Sequence, residues 1–309
     1  MDILNLENKI EVVSDQVKKY RGLSKAEETK RAVKKNWVQF EKWCEKYGFN
    51  SFPTTEEIFE SYLVFLADSG LSVSSIDQAK WALDTIHKTK GIPAPGNSDR
   101  IKTIMSGIRR NLGRRQKQKA ALTFDHVKLM SFPKTLIGIR DKAIILLGIA
   151  GGFRRSELAQ LKVGDIAYKE GNLIVTIRRS KTDQEGRGTE VVIVPSKDIN
   201  NCPVMSITHW FEKAELKEGY VFRSVSKWGK IGKEFSTVSI WKTVKNAAEN
   251  IGLDPKKFGG HSLRAGCATY LLDKGVSLNI VARHGRWQRL DTVIKYDRNT
   301  TAKALKEIY

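Results

Sequence analysis

The clearest β signal in this chain is one hairpin. Leu173-Ile174-Val175-Thr176-Ile177 leads to a turn containing Gly186 and Gly188, then to Val191-Val192-Ile193-Val194, closed by Pro195. Apolar residues elsewhere recur at helical spacing, so the chain reads as mainly α with a small antiparallel β-sheet. Residues 24 to 48 carry Val33, Trp37, Phe40, Cys44 and Tyr47 behind a capping box of Ser24 and Glu27. Thr54 to Glu57 signals a second start before Ile58, Tyr62, Phe65 and Leu66, with a stop at Gly70. Residues 72 to 90 align Ile76, Trp81, Leu83 and Ile86. After a Pro- and Gly-rich break at 91 to 96, residues 98 to 112 align Ile101, Ile104, Met105 and Ile108. An all-helical first domain follows, and a length of 309 residues calls for a second.

Between Arg100 and Lys119 eight basic residues (Arg100, Lys102, Arg109, Arg110, Arg114, Arg115, Lys117, Lys119) occur with no acidic one. The run thins into unpatterned polar sequence and reads as a linker, giving a helical domain at 1–116 and a second at 117–309. A solvated helix end is the plain reading of such a run, and a segment laid along phosphates is the sharper one. A net charge of +20 points to a polyanionic partner, nucleic acid first. No stretch of eighteen apolar residues occurs, and Asp2, Glu7 and Glu11 do not suit a signal peptide, so no membrane partner and an intracellular location are expected. Cys44, Cys202 and Cys267 are odd in number and far apart, which suits buried reduced thiols better than disulfides or a zinc site.

In the second half, Ala143 to Ile149 is a buried apolar helix running into Gly151-Gly152-Phe153-Arg154-Arg155-Ser156-Glu157-Leu158. Past the hairpin, helical patterns surround Trp210 and Phe211, cover Ile240 to Ile251 and His261 to Lys274, and return briefly around Val293. His261-Ser262-Leu263-Arg264 sets a His and an Arg three apart, on one face of a helix. Alone this spacing is weak evidence, but Arg154, Lys181, Trp287 and Tyr296 stand with it in a telling order. Residues 139 to 298 resemble the tyrosine recombinase (phage integrase) family, whose signature is Arg, Lys, His-x-x-Arg, His or Trp, Tyr. Gly152 to Leu158 is similar to the family's first-arginine box, and Ser180-Lys181-Thr182 to its mobile-loop lysine. Gly260 to Arg264, His284-Gly285-Arg286-Trp287 and Lys295-Tyr296 are similar to its second box. Trp287 stands where most members carry His. With Phe40-Glu41-Lys42-Trp43-Cys44 and Pro93-Ala94-Pro95, it resembles the Cre-like subgroup.

The resemblance implies a helical core-binding domain and an α+β catalytic domain forming a clamp on DNA. It implies a site-specific recombinase working through a 3′-phosphotyrosine and a Holliday junction, without cofactor or metal. Protomers, monomeric in solution, would bind inverted-repeat half-sites of double-stranded DNA and pair two such sites in a homotetramer, in the nucleoid or nucleus. The tail from Thr301 to Tyr309, with Ala302, Leu305 and Ile308, would be a protomer-exchange helix.

The chemistry suits these residue types. Attack of a phenol on a phosphodiester gathers charge on two non-bridging oxygens, which the planar forks of Arg154 and Arg264 match. Tyr296 is the expected nucleophile, His261 its base or an orienter, and Lys181 the acid for the leaving oxygen, with Lys169 and Lys197 as neighbouring alternatives. Trp287 offers an N–H and packing surface, and Glu157 is expected to orient an arginine from behind. DNA contacts are expected from Lys30, Arg31, Lys34 and Lys35 on the first helix, from Ser74, Ser75 and Gln78 on the third, and from Arg109, Arg110, Arg114, Arg115 and Lys117 in the linker. A type IB topoisomerase, a telomere resolvase, a non-catalytic DNA-binding protein and a basic structural or RNA-binding protein are the alternatives. A covalent adduct at one defined sequence separates them.

Overall fold

The computed structural model describes residues 27–113, 119–178 and 188–297. The chain divides into two compact units, Met1–Lys117 and Gln118–Tyr309. In the first, α1 (Glu27–Tyr47), α2 (Glu56–Asp68), α3 (Val73–Thr89) and α4 (Asp99–Leu112) enclose a core built on Phe40, Phe59, Tyr62, Ile76, Leu83 and Met105. Ser72 and Ser98 cap α3 and α4, each accepting a backbone N–H of the first turn. Two details differ from the sequence pattern. The cap of α2 is Thr55, which accepts the Ile58 N–H at 3.4 Å. Thr54 instead gives its own N–H to Nε2 of the buried His87, whose Nδ1 faces the Leu83 carbonyl at 2.8 Å. Because that carbonyl only accepts, the proton sits on Nδ1 and Nε2 is free to accept. Tyr47 and Trp81 also lie exposed, while Trp43, one turn earlier than Tyr47 on α1, is buried.

The second unit contains α5 (Phe124–Lys128), α6 (Leu136–Ala150), α7 (Arg155–Gln160), β1 (Ile166–Lys169), β2 (Asn172–Ile177), β3 (Thr189–Ile193), α8 (Pro203–Lys213), α9 (Thr237–Glu249), α10 (Ser262–Asp273), α11 (Leu278–His284) and α12 (Leu290–Ile294). The strands form one antiparallel sheet in the order β1-β2-β3, with Val175 opposite both Ile166 and Val191. The expected hairpin is β2-β3, and β1 is an addition to it. Alternate β2 residues Leu173, Val175 and Ile177 point into the core.

Helix α6 is apolar nearly all round and packs against α8 and α10, which makes it the axis of this core. Trp210 of α8 is fully buried and donates its Nε1–H to the Val221 carbonyl at 2.8 Å. A smaller cluster of Ala268, Leu272, Val281, Ala282 and Val293 joins α10, α11 and α12, with Trp287 and Tyr296 packed against it. All three cysteines are buried thiols, and no described helix is long and apolar enough to cross a membrane.

Close approach of backbone fixes α10. A Cβ added to Gly266 would overlap the carbonyl of Leu122, whose N–H bonds the Ser262 carbonyl at 2.9 Å. Gly266→Ala is therefore expected to destabilise the second unit by about 1–3 kcal/mol through overpacking. A thermal melt unchanged from wild type would contradict that.

Candidate active site

Four separate stretches of the second unit meet around one buried guanidinium. Helix α6 ends at Ala150 with Gly151 as its C-cap, and Gly152, at φ +56, turns the chain back beside Cys267 of α10. That turn delivers Arg154 as the residue preceding α7. Its N–H donates to Glu157 Oε2 at 2.8 Å and its Nη1 to Glu157 Oε1 at 2.7 Å. An ion pair within one helical turn thus ties Arg154 to Glu157.

Arg264 lies on α10 with only 3% of its surface exposed. Its Nη1 donates to the Gly152 carbonyl at 2.6 Å and its Nη2 to the Arg286 carbonyl at 3.2 Å, and its guanidinium lies 4.1 Å from the centre of the Trp287 ring. Burial first, then the like charges of Arg154 and Arg286, lower its pKa to about 9. The fold therefore holds this cation at a cost, which an anion placed between the arginines would offset. Trp287 in turn meets the Tyr296 ring, centroids 5.9 Å apart and tilted by 54°. Trp287 thus links the buried arginine to the expected nucleophile. The Tyr296 backbone is fixed by its N–H to the Val293 carbonyl at 2.8 Å and by Thr269 Oγ1 on its own carbonyl at 3.5 Å.

His261 is exposed at the start of α10, one residue before Ser262, and its carbonyl accepts the Ala265 N–H at 2.9 Å. His284 makes a structural contact: its Nε2 lies 2.6 Å from the Ala150 carbonyl, so it carries the proton there and ties α11 to the end of α6. Lys181 lies outside the described residues, as do Arg114, Arg115, Lys117 and the 301–309 tail. The two alternative lysines, Lys169 and Lys197, are both exposed. In the first unit, Lys34, Lys35, Ser74, Gln78 and Arg110 are exposed, and Ser75 is half-buried. Lys30 pairs with Glu27 at 2.6 Å, Arg31 reaches Glu28 at 3.8 Å, and Arg109 grips Asp77 of α3 at 2.7 Å. Among the described residues no three metal-ligating side chains come together.

One residue was not anticipated. Arg286 donates from Nη2 to Glu157 Oε2 at 2.9 Å, so Glu157 holds two arginines rather than one. Burial works to raise the Glu157 pKa, but Arg286 and then Arg154 outweigh it and keep the carboxylate ionised. Arg286 has φ +58, a conformation costing a non-glycine residue about 1–3 kcal/mol. The Gly285-Arg286-Trp287 run was visible in the sequence, but the partner is 129 residues away and no local pattern points to it.

Trp287 depends on its neighbour. A Cβ on Gly285 would overlap the indole ring, so Gly285→Ala is expected to push Trp287 off Arg264 and lower any strand-cleavage rate by about tenfold or more, in the manner of a small misplacement in a reacting site. Cleavage at the wild-type rate would show that the stack is dispensable.

Residues 121–303, more than half of the chain, match the phage integrase family. An integrase/recombinase xerD homolog of Selenomonas ruminantium is 29% identical over 280 residues, covering 88% of this chain and 82% of the relative. The recombinase cre of Escherichia phage P1 is 26% identical over 290 residues, covering 87% and 82%. Among solved structures, XerH site-specific recombinase bound to palindromic difH substrate superposes with a TM-score of 0.61 at 19% identity, covering 83% of this chain and 72% of that one. The Tn1549 transposon integrase in complex with transposon right end DNA gives 0.62 at 15% identity, covering 95% and 97%, and both share the fold. The chain belongs to the phage integrase family and is a tyrosine site-specific recombinase, an enzyme that cleaves and rejoins DNA.

Proposed function

We propose that Tyr296 is the nucleophile of this recombinase. Its Oη bonds to phosphorus while the bond from phosphorus to the 5′ oxygen breaks, leaving a 3′-phosphotyrosine and a free 5′ hydroxyl. Arg154 and Arg264 hold the two non-bridging oxygens. His261 takes the phenolic proton or orients the phosphate, and Lys181 protonates the departing oxygen. The covalent link conserves the energy of the broken ester, so the reverse attack by a second 5′ hydroxyl reseals the strand. The observation that carries the reading is the position of Arg264. Its fork reaches the turn leading to Arg154, and its flat face stacks on the indole that touches Tyr296.

Trp287, with Phe40 to Cys44 and Pro93 to Pro95, supports placement near the Cre-like subgroup. The relative solved on a palindromic substrate supports inverted-repeat half-sites for this chain also. On that reading the domains 1–116 and 117–309 each bind duplex DNA, and a homotetramer pairs two sites through a Holliday junction. Its 301–309 tail links protomers, and it works in the nucleoid or nucleus without a cofactor. Lys34, Lys35 and Arg110 with the other basic residues of the first unit bind phosphates, while Ser74, Ser75 and Gln78 face bases.

The test is incubation with fragmented source DNA, trapping of covalent complexes in denaturant, and sequencing of the attached ends. One recurring sequence joined to protein through its 3′ phosphate is expected. Absence of any adduct, or adducts without a common sequence, would count against site-specific exchange.

A further inference from the structure

We propose that Arg286 is a positioning residue: it neutralises Glu157, so that this carboxylate can align Arg154 without cancelling the charge Arg154 presents to the phosphate. The inference rests on the phosphodiester reading above and deepens it.

Glu157 is held by two guanidiniums, Arg154 and Arg286, the third, Arg264, lies close enough to feel all three charges, and the Glu157 side chain is only 1% exposed. Water therefore does little to screen that negative charge. Were Arg154 and Glu157 alone together they would close into a neutral pair, leaving Arg264 as the one uncompensated cation of the group. With Arg286 present the cluster carries a net +2, matched to a phosphoryl group whose charge grows in the transition state. The contacts divide accordingly. Glu157 Oε1 holds the Arg154 fork at 2.7 Å, while Oε2 takes the Arg154 backbone N–H at 2.8 Å and Arg286 Nη2 at 2.9 Å.

The Arg286 side chain is turned inward. It is 9% exposed, lies over the Phe153 ring at 5.0 Å, and is tethered through Nη1 to the carbonyls of Gly151 at 3.2 Å and His284 at 3.4 Å. Its Nε meets no acceptor among the described residues. A glycine would suit its φ of +58 better. The chain thus carries a strained backbone and an unpaired donor at one residue, which points to a use for the side chain.

The test compares wild type, Arg286→Gln, Glu157→Gln and the double variant in single-turnover cleavage of a nicked site, in site binding and in thermal melts. Arg286→Gln is expected to slow cleavage about 10- to 100-fold with affinity for the site within about twofold of wild type. In the Glu157→Gln background, removing Arg286 is expected to cost less than about threefold, because no carboxylate remains to be neutralised. If Arg286→Gln does not fold, Arg286→Gly replaces it, and the comparison of Glu157→Gln with the double variant decides. The proposal is overturned if the Arg286 variant cleaves like wild type, or if removing Arg286 costs the same factor in both backgrounds. Wild type forming no covalent adduct is a separate result, which would remove the nucleophile assignment itself.

Discussion

Tyr296→Phe is expected to bind its DNA site as tightly as wild type and to form no covalent adduct, a loss of about 10⁴-fold or more, as for removal of an obligatory nucleophile. The substitution deletes one oxygen and leaves the ring that packs on Trp287 at 5.9 Å. The Tyr296 backbone N–H on Val293 and its carbonyl under Thr269 Oγ1 are kept by phenylalanine, as is the ring, so the fold and the binding surface should persist. Denaturing gels with radiolabelled nicked substrate give the adduct, and gel shifts give the affinity. Residual adduct in the variant would place the nucleophile elsewhere.

Arg264→Lys is expected to slow cleavage by about 10²–10³-fold even though the charge is kept. Lysine presents a point charge on a flexible stem and cannot reproduce a planar fork. Here the fork simultaneously meets the Gly152 and Arg286 carbonyls and stacks on Trp287, so the variant leaves one buried and one partly buried carbonyl underserved and frees the indole. A loss of thermal stability should accompany the slower chemistry. Single-turnover cleavage on the nicked substrate reads the rate, and a variant within threefold of wild type would mean that the fork geometry does not matter.

Much of the architecture could be read from the chain. The amphipathic periods that bury Phe40, Tyr62, Ile76 and Met105 are local signals, and the alternation of Leu173, Val175 and Ile177 marks a half-buried strand. Strand β1 escaped because Ala167, Tyr168 and Lys169 are all exposed and carry no alternation. Its turn, Glu170-Gly171 at φ 51 and 77, is a two-residue hairpin loop in which Glu stands where Asn or Asp would advertise it. Helix α5 has five residues and α11 seven, too few to display a period. At the site, Arg154, Arg264, Trp287 and Tyr296 were legible as a family resemblance, and the fold brings them to one place. The stack of Arg264 on Trp287 and the sharing of Glu157 depend on contacts between distant stretches, which no spacing rule contains.

The small cluster behind Tyr296 has a dynamic consequence. Leu272, Val281 and Val293 form a core apart from the one built on α6, so α12 and residues 295–297 can detach at a fraction of the free energy needed to unfold the unit. Amide exchange at Val293 through Asp297 should then outpace that of Ala143 through Ile149 by orders of magnitude. The Tyr296 segment can then loosen while the Arg154, Arg264 and Glu157 scaffold stays folded.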